Sequence, residues 1–388
     1  MERARALRPG VGYGAGAWQT LGLGAVRGAT LGPIESSQHP GVGYGTPASE
    51  EALDELRALG CTWVSITPFG RQWDLRSTEI RLDFEAPFPE NRRNIVRVIQ
   101  QAHARGLRVF LIPHLWMDRA GWRGEIGEKD ERGSPRAFTD EEWGRWFQSY
   151  TRFVLAWARV AEEARADLFS VGVELKSSSA TRGEWFDTIA SVRAVYHGPL
   201  TYSANWDEAD TVLFWDRLDL LGIQAFYPLA EREGDGLDAL RRAAVRRADA
   251  LERQVLRQDQ PLLFSEFGYT ARPDPTLRPW EWPEDHPGAA VDARAQAVAY
   301  RALLEAFAGR RWFAGAFVWR YYANPMDSSQ EPAWGFSPRG RDAEEVLRAL
   351  YAPALRWGSD PAEGRPWAER VDGALSPGVE RAYLPQRP

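Results

Sequence analysis

Two short apolar runs in this chain each close on a glutamate, and this restricts the possible folds more than any other feature. The first is Leu168-Phe-Ser-Val-Gly-Val-Glu174 and the second is Leu262-Leu-Phe-Ser-Glu266. A near-continuous apolar run of this length reads as a strand covered on both faces, as in a parallel sheet flanked by helices. An unpaired carboxylate is costly inside such a core. Each glutamate therefore marks the C-terminal end of a strand, opening into a polar pocket.

The rest of the chain alternates in the same way. A first strand is predicted over 26–34. A helix follows over 48–59, with Ser49 as its N-cap and Gly60 just past its end. Strand 61–67 stops at Pro68. Helix 91–105 carries Ile95, Val98, Ile99 and Ala102 at helical spacing. Strand 107–112 leads into Pro113-His114-Leu-Trp116, and a long loop occupies 117–138. Thr139-Asp-Glu-Glu142 has the form of a capping box ahead of helix 140–165. The Glu174 strand, helix 183–196, and strands 199–203 and 219–226 come next. Helix 237–257, the Glu266 strand, helix 291–308, strand 312–319 and helix 341–351 complete the pattern.

Read as eight strand–helix units, this is an α/β chain closing into a (β/α)8 TIM barrel over 25–352. Glu174 then ends strand four and Glu266 ends strand seven. Residues 1–24 read as an irregular arm. The tail over 353–388 carries Trp357 and Trp367, which imply packing on or near the barrel. A doubly wound open sheet would need a ligand motif at its switch point. Val-Gly-Tyr-Gly, at 11–14 and 42–45, does not follow a strand and open a helix as a dinucleotide loop must.

Bulk properties remove whole classes of function. The net charge of −6 argues against nucleic acid or an anionic membrane as the main partner. No segment has the length and apolarity of a membrane span. Cys61 is the single cysteine, so no internal disulfide forms, and its place at a strand start reads as a buried, inert thiol. The basic N-terminus has no apolar stretch behind it and does not read as a secretory signal. Compartment and oligomeric state stay open. His39, His103, His197 and His286 lack metal-ligand spacing, so neither a catalytic metal nor a cofactor is expected. No nucleophile elbow or phosphate loop occurs.

Two carboxyls on separate strand ends of one barrel suit retaining glycosidic cleavage, in which one acts as acid/base and the other as nucleophile. Of the 18 tryptophans, Trp73, Trp116, Trp206 and Trp319 follow predicted strands. Core packing and sugar stacking both account for them. His114 fits either a satisfied buried histidine or a ligand contact. Lys176 reads as an exposed loop lysine, and Arg71 is a weaker candidate.

Taken in order, several stretches resemble the clan A glycoside hydrolases, and family 113 among them. They are Gly60-Cys-Thr-Trp-Val-Ser-Ile-Thr-Pro68, Ser170-Val-Gly-Val-Glu-Leu175, Tyr202-Ser-Ala-Asn-Trp206, Phe264-Ser-Glu-Phe-Gly268 and Gly315-Ala-Phe-Val-Trp319. The best-known activity of family 113 is endo-β-1,4-mannanase. The resemblance implies Glu174 as acid/base and Glu266 as nucleophile. It further implies Tyr227 beside the nucleophile, Trp319 as a platform under the sugar, and Asn205 and Trp206 as substrate contacts. Much of the clan has Asn just before the acid/base, bonding the sugar 2-hydroxyl; here that position is Val173, and family 113 lacks the Asn too. Asn205 or His114 is the expected replacement.

Three alternatives share this reading of the residues. One is a retaining transglycosylase, another a hydrolase of a glucan or xylan, and the third a carbohydrate-binding barrel without turnover. The loop 117–138 and the segment 270–290 are positioned to wall the cleft.

Overall fold

The computed structural model describes residues 24–130, 132–282, 286–324, 331–360 and 365–366. Eight parallel strands form a closed barrel. They are β1 (Val26–Gly32), β2 (Trp63–Ile66), β3 (Arg108–Leu111), β4 (Leu168–Val173), β5 (Leu200–Asn205), β6 (Leu220–Gln224), β7 (Leu262–Phe267) and β8 (Phe313–Tyr322). Each pairs with its sequence neighbour, and β8 closes on β1 with Val26 opposite Gly315. The α/β barrel expected from the apolar runs is the fold found.

Seven α-helices surround the strands among the described residues. They are α1 (Pro47–Leu59), α2 (Phe88–Ala104), α3 (Asp140–Ala164), α4 (Arg182–Arg193), α5 (Leu237–Gln258), α6 (Ala293–Phe307) and α7 (Asp342–Leu350). These are the seven helices expected; between β5 and β6, where none is predicted, the connection holds only a 3-10 segment, Trp215–Arg217. The capping box is present: the Thr139 hydroxyl accepts from the Glu142 backbone, and the Glu142 carboxylate accepts from the Thr139 N–H. Ser49 is not the N-cap of α1. Thr46 is, its hydroxyl accepting from Ser49 N, because Pro47 is preorganised for the first turn and moves the helix start back. Pro89 likewise sits inside the first turn of α2, which starts three residues earlier than helical spacing alone suggests.

The barrel lumen is layered. Val26, Trp63, Phe110, Ile112, Leu168, Leu220, Leu263 and Phe317 form an apolar plug of their own. Two residues on along the same strand face, Trp63 gives way to Ser65, Leu168 to Ser170 and Leu263 to Ser265, all buried. Ser65 hydrogen-bonds Thr30 at 2.7 Å and Ser170 bonds Ser203 at 3.0 Å. The lumen thus turns from apolar to polar toward the C-terminal ends of the strands, where barrel enzymes place their chemistry. Cys61 is buried and free, and burial pushes its thiol far up, which suits an inert role.

Two additions extend this frame. A small sheet joins Phe69–Gln72, Ile80–Arg81 and His114–Met117 just beyond β2 and β3. Past α7, Trp357 is buried and stacks on Phe313, and Asp360 pairs with Arg27 at 2.6 Å. The arm over 1–23 and Trp367 lie outside the described residues. No helix among the described residues is long and apolar enough to cross a membrane.

Candidate active site

Both glutamates stand where their strands break register. β4 slips against β5 between Ser170 and Val173, and β7 slips against β6 between Phe264 and Glu266. Such irregularities re-aim the side chains that follow them. Glu174 lies one residue past β4 with a left-handed φ of 52°. That conformation costs a non-glycine residue about 1–2 kcal/mol, so its surroundings must hold it. The Glu174 N–H donates to Ser203 O at 2.9 Å, and the next N–H, of Leu175, donates to the Tyr202 hydroxyl at 2.8 Å. Both acceptors belong to β5.

The Glu174 carboxylate reaches toward loop residues. Trp122 Nε1 donates to its Oε2 at 3.4 Å, and Arg123 Nε lies 3.3 Å from the same oxygen. Arg123 also donates to Leu115 O, which ties the loop to the small sheet. Burial lifts the Glu174 carboxyl above the usual carboxylate range. Arg123 opposes the rise, Glu266 adds to it, and His114 and Trp122 oppose it without cancelling it.

Glu266 sits within β7, almost fully buried. His114 Nε2 stands 3.2 Å from its Oε1, and His114 Nδ1 faces Ile112 O at 3.0 Å. A carbonyl only accepts, so Nδ1 carries a proton and Nε2 is the atom turned to Glu266. The His114–Glu266 contact is not aligned as a hydrogen bond, and Oε1 has no hydrogen-bond partner among the described residues. Glu266 and His114 are both close enough for their charges to act on Glu174, and His114 also stands against Glu266.

Aromatic rings line the opening. Trp319, at the end of the barrel portion of β8, has His114 at 6.5 Å and the edge of Trp282 at 6.5 Å. The Trp319–Arg320 peptide is cis. Trp206, just past β5, stacks on Trp280 at 5.4 Å with planes 13° apart. Trp116, across from Arg71 in the small sheet, packs against Phe69 and Phe84 and is 49% exposed. Trp280 and Trp282 are 44% and 50% exposed, so ring surface remains open to a ligand. The Asn205 amide donates to Asp207 at 2.7 Å, and Lys176 pairs with Asp207 at 2.7 Å.

Seven of the eight expected site residues therefore gather around the strand ends. Tyr227 does not. Its buried ring lies against Phe264 and Trp206, with the Arg247 guanidinium of α5 4.8 Å from the ring centre. Phe264 is a residue of the outer core, so Tyr227 turns toward the helix layer rather than to Glu266. Counted on from Leu220, which faces the lumen, the alternation of β6 puts position 227 on the outer side with Leu221, Ile223 and Ala225. Sequence reasoning missed Trp122, Arg123, Trp280 and Trp282, although both loops that carry them are predicted as cleft walls. It also missed Glu208, a fully buried acid after β5. Its signal was an acidic residue three positions past Asn205 in a turn. A second concavity, bordered by residues 234–240, 274–276 and the start of α6, contains none of these groups. No cluster of metal-ligating side chains occurs among the described residues.

The family model for Glycoside Hydrolase Family 113 matches residues 38–334. The chain belongs to glycoside hydrolase family 113. Solved members of the family superpose on it closely. A GH113 β-mannanase from Alicyclobacillus acidocaldarius is 28% identical, with a TM-score of 0.71 over 84% of this chain and 97% of that one. A GH113 β-1,4-mannanase is 26% identical, with a TM-score of 0.70 over 84% of this chain and 99% of that one. A family 5 mannosidase from Rhizomucor miehei shares the fold at 11% identity and a TM-score of 0.60, over 85% of this chain and 93% of that one. No curated protein matches by sequence. As a family 113 member the chain is a retaining glycoside hydrolase, and a glycan is its substrate.

Proposed function

We propose that this family 113 enzyme hydrolyses β-1,4-linked mannan, with Glu174 as acid/base and Glu266 as nucleophile. The observation that carries this reading is the meeting of two carboxyls at strand ends four and seven in different surroundings. Glu174 is lifted by burial above the usual carboxylate range, and Glu266 has an oxygen with no hydrogen bond among the described residues.

In the first step Glu174 gives its proton to the glycosidic oxygen as the C1–O bond breaks, and the leaving sugar departs as an alcohol. A Glu266 oxygen attacks C1 from the opposite face, forming a glycosyl ester. In the second step Glu174, now ionised, takes a proton from water. The water oxygen bonds C1, the ester breaks, and Glu266 leaves as a carboxylate. Two inversions leave the anomeric configuration unchanged. Trp319 supplies an apolar face for the sugar at the cleavage point, and Trp206 and Trp116 offer faces farther out. The A. acidocaldarius and related neighbours described as mannanases support mannan as the glycan.

The test is product analysis on mannan, glucomannan, xylan and mixed glucans with the purified protein and its Glu266→Ala variant. Oligosaccharides released from mannan, born as β-anomers by NMR and absent with the variant, are expected. α-Anomers would overturn retention, and turnover confined to xylan or glucan would overturn the mannan assignment.

A further inference from the structure

Glu208 is an acid in the deep interior with no cationic partner within salt-bridge reach among the described residues, and the mechanism above does not use it. It lies in the turn after β5 and is 0% exposed. Burying a carboxyl is expensive unless hydrogen bonds compensate. Both of its oxygens accept one. Tyr202 donates its hydroxyl proton to Oε1 at 2.6 Å, and Asn205 N–H donates to Oε2 at 2.9 Å. Leu175 N–H donates to the same hydroxyl at 2.8 Å, which leaves the hydroxyl proton for Glu208 while that carboxyl is ionised; when the carboxyl is protonated its own O–H donates to Tyr202, and the contact holds in either form.

The result is a relay from Glu208 through Tyr202 to the peptide N–H that follows Glu174. Glu174 holds an unfavourable left-handed φ, and the relay fixes the far side of that residue while Ser203 O fixes the near side. The other oxygen of Glu208 fixes the backbone at Asn205, beside Trp206. We propose that Glu208, acting through Tyr202, is the positioning residue of the acid/base: it holds Glu174 in its left-handed conformation so that the carboxyl meets the leaving oxygen. This rests on Glu174 being the acid/base.

Acid assistance can be separated from general damage by the leaving group. A dinitrophenyl β-mannooligosaccharide departs without a proton, whereas the matching phenyl glycoside needs one. In Tyr202→Phe the ring stays in place but the relay is cut. In Glu208→Gln only one of the two donors keeps an acceptor. For both variants, kcat/KM on the phenyl substrate is expected to fall about 10- to 100-fold, the scale of a misplaced catalytic group. The dinitrophenyl substrate should lose less than about threefold in the glycosylation step, since that step skips the acid. Native circular dichroism and Tm are recorded for each, and either variant alone suffices.

Equal losses on both substrates would mean that the relay is structural only, and unchanged rates would mean that it holds nothing. Either result overturns the proposal. Glu174→Ala, run beside them, distinguishes the levels. If it shows the leaving-group split and the relay variants do not, only the positioning role fails. If Glu174→Ala itself shows no split, the acid/base assignment fails and the positioning role falls with it.

Discussion

Glu174 and Glu266 are the same residue type at matching ends of two strands, each behind a register slip, yet they are held by different parts of the molecule. Glu266 lies inside β7, and its neighbour His114 comes from the strand-three side of the barrel, itself fixed by Ile112 O. Glu174 lies past the end of β4 in a left-handed conformation, and its side-chain partners, Trp122 and Arg123, come from a loop. One carboxyl is set by the barrel and the other is assembled on it. This suits the tasks proposed for them: a nucleophile needs one fixed trajectory, whereas an acid/base needs a tuned proton affinity, which loop residues supply adjustably.

Replacing each glutamate should break this comparison most widely. Glu266→Ala removes the atom proposed to bond C1, so every substrate should lose on the order of 10⁴-fold or more in kcat. Glu174→Ala should cost about 10²- to 10⁴-fold on natural glycan and far less on activated aryl glycosides. Steady-state kinetics on both substrate types reads this directly. Equal profiles for the two variants would mean that the carboxyls do not divide the labour as their surroundings imply.

The next largest effect concerns the sugar 2-hydroxyl. His114 and Asn205 stand on the nucleophile side and the β5 side of the site, and at least one should contact that hydroxyl in the transition state. Such contacts are worth several kcal/mol, so His114→Ala or Asn205→Ala should lower kcat/KM by about 100-fold. If both variants stay within a few-fold of the parent, neither residue makes the contact.

A smaller effect tests the loop's part in tuning. Arg123 holds the Glu174 carboxyl down against the rise that burial causes. With Glu174 as the proposed acid, activity requires it protonated, so the basic limb of kcat/KM falls as pH passes the Glu174 pKa. Arg123→Met removes the opposing charge, that pKa rises further, and the basic limb should move to higher pH. A pH–rate profile that stays in place, or moves down, would show that Arg123 does not act electrostatically.

How far these two regions were legible in the sequence follows from the same division. The barrel and Glu266 could be read because strand burial writes apolar runs, and a carboxylate after such a run stands out. Glu174 was legible for the same reason, but its partners were not. Trp122 and Arg123 sit in a loop without periodicity, and nothing local ties them to a residue some fifty positions later. Tyr227 is the opposite case. The resemblance puts it after strand six, but counting on from lumen-facing Leu220 assigns position 227 to the outer face, where its ring lies. Glu208 was invisible because its role depends on burial, and an acid in a polar turn looks solvated until the turn is seen packed under the strand ends.

The last expected effect bears on the folded state rather than on catalysis. Burial pushes the Glu208 carboxyl up to about 8 from an ordinary 4.5, the largest of several causes, with Glu174 among the charges adding to it. Between those values the folded protein keeps a proton that the unfolded chain has released. Stability from this group is therefore complete below about pH 4.5 and is lost as pH rises through about 8. One retained proton corresponds to a loss of about 1.4 kcal/mol per pH unit across the window. Glu208→Gln cannot titrate, so its stability should fall less steeply with pH than the parent's, even if its mismatched donor lowers the whole curve. Urea unfolding at several pH values between 5 and 8 measures the difference in slope, which is independent of that offset. Parallel curves would mean that Glu208 is ionised throughout, and that its hydrogen bonds to Tyr202 and Asn205 hold a buried charge next to the acid/base rather than a neutral acid.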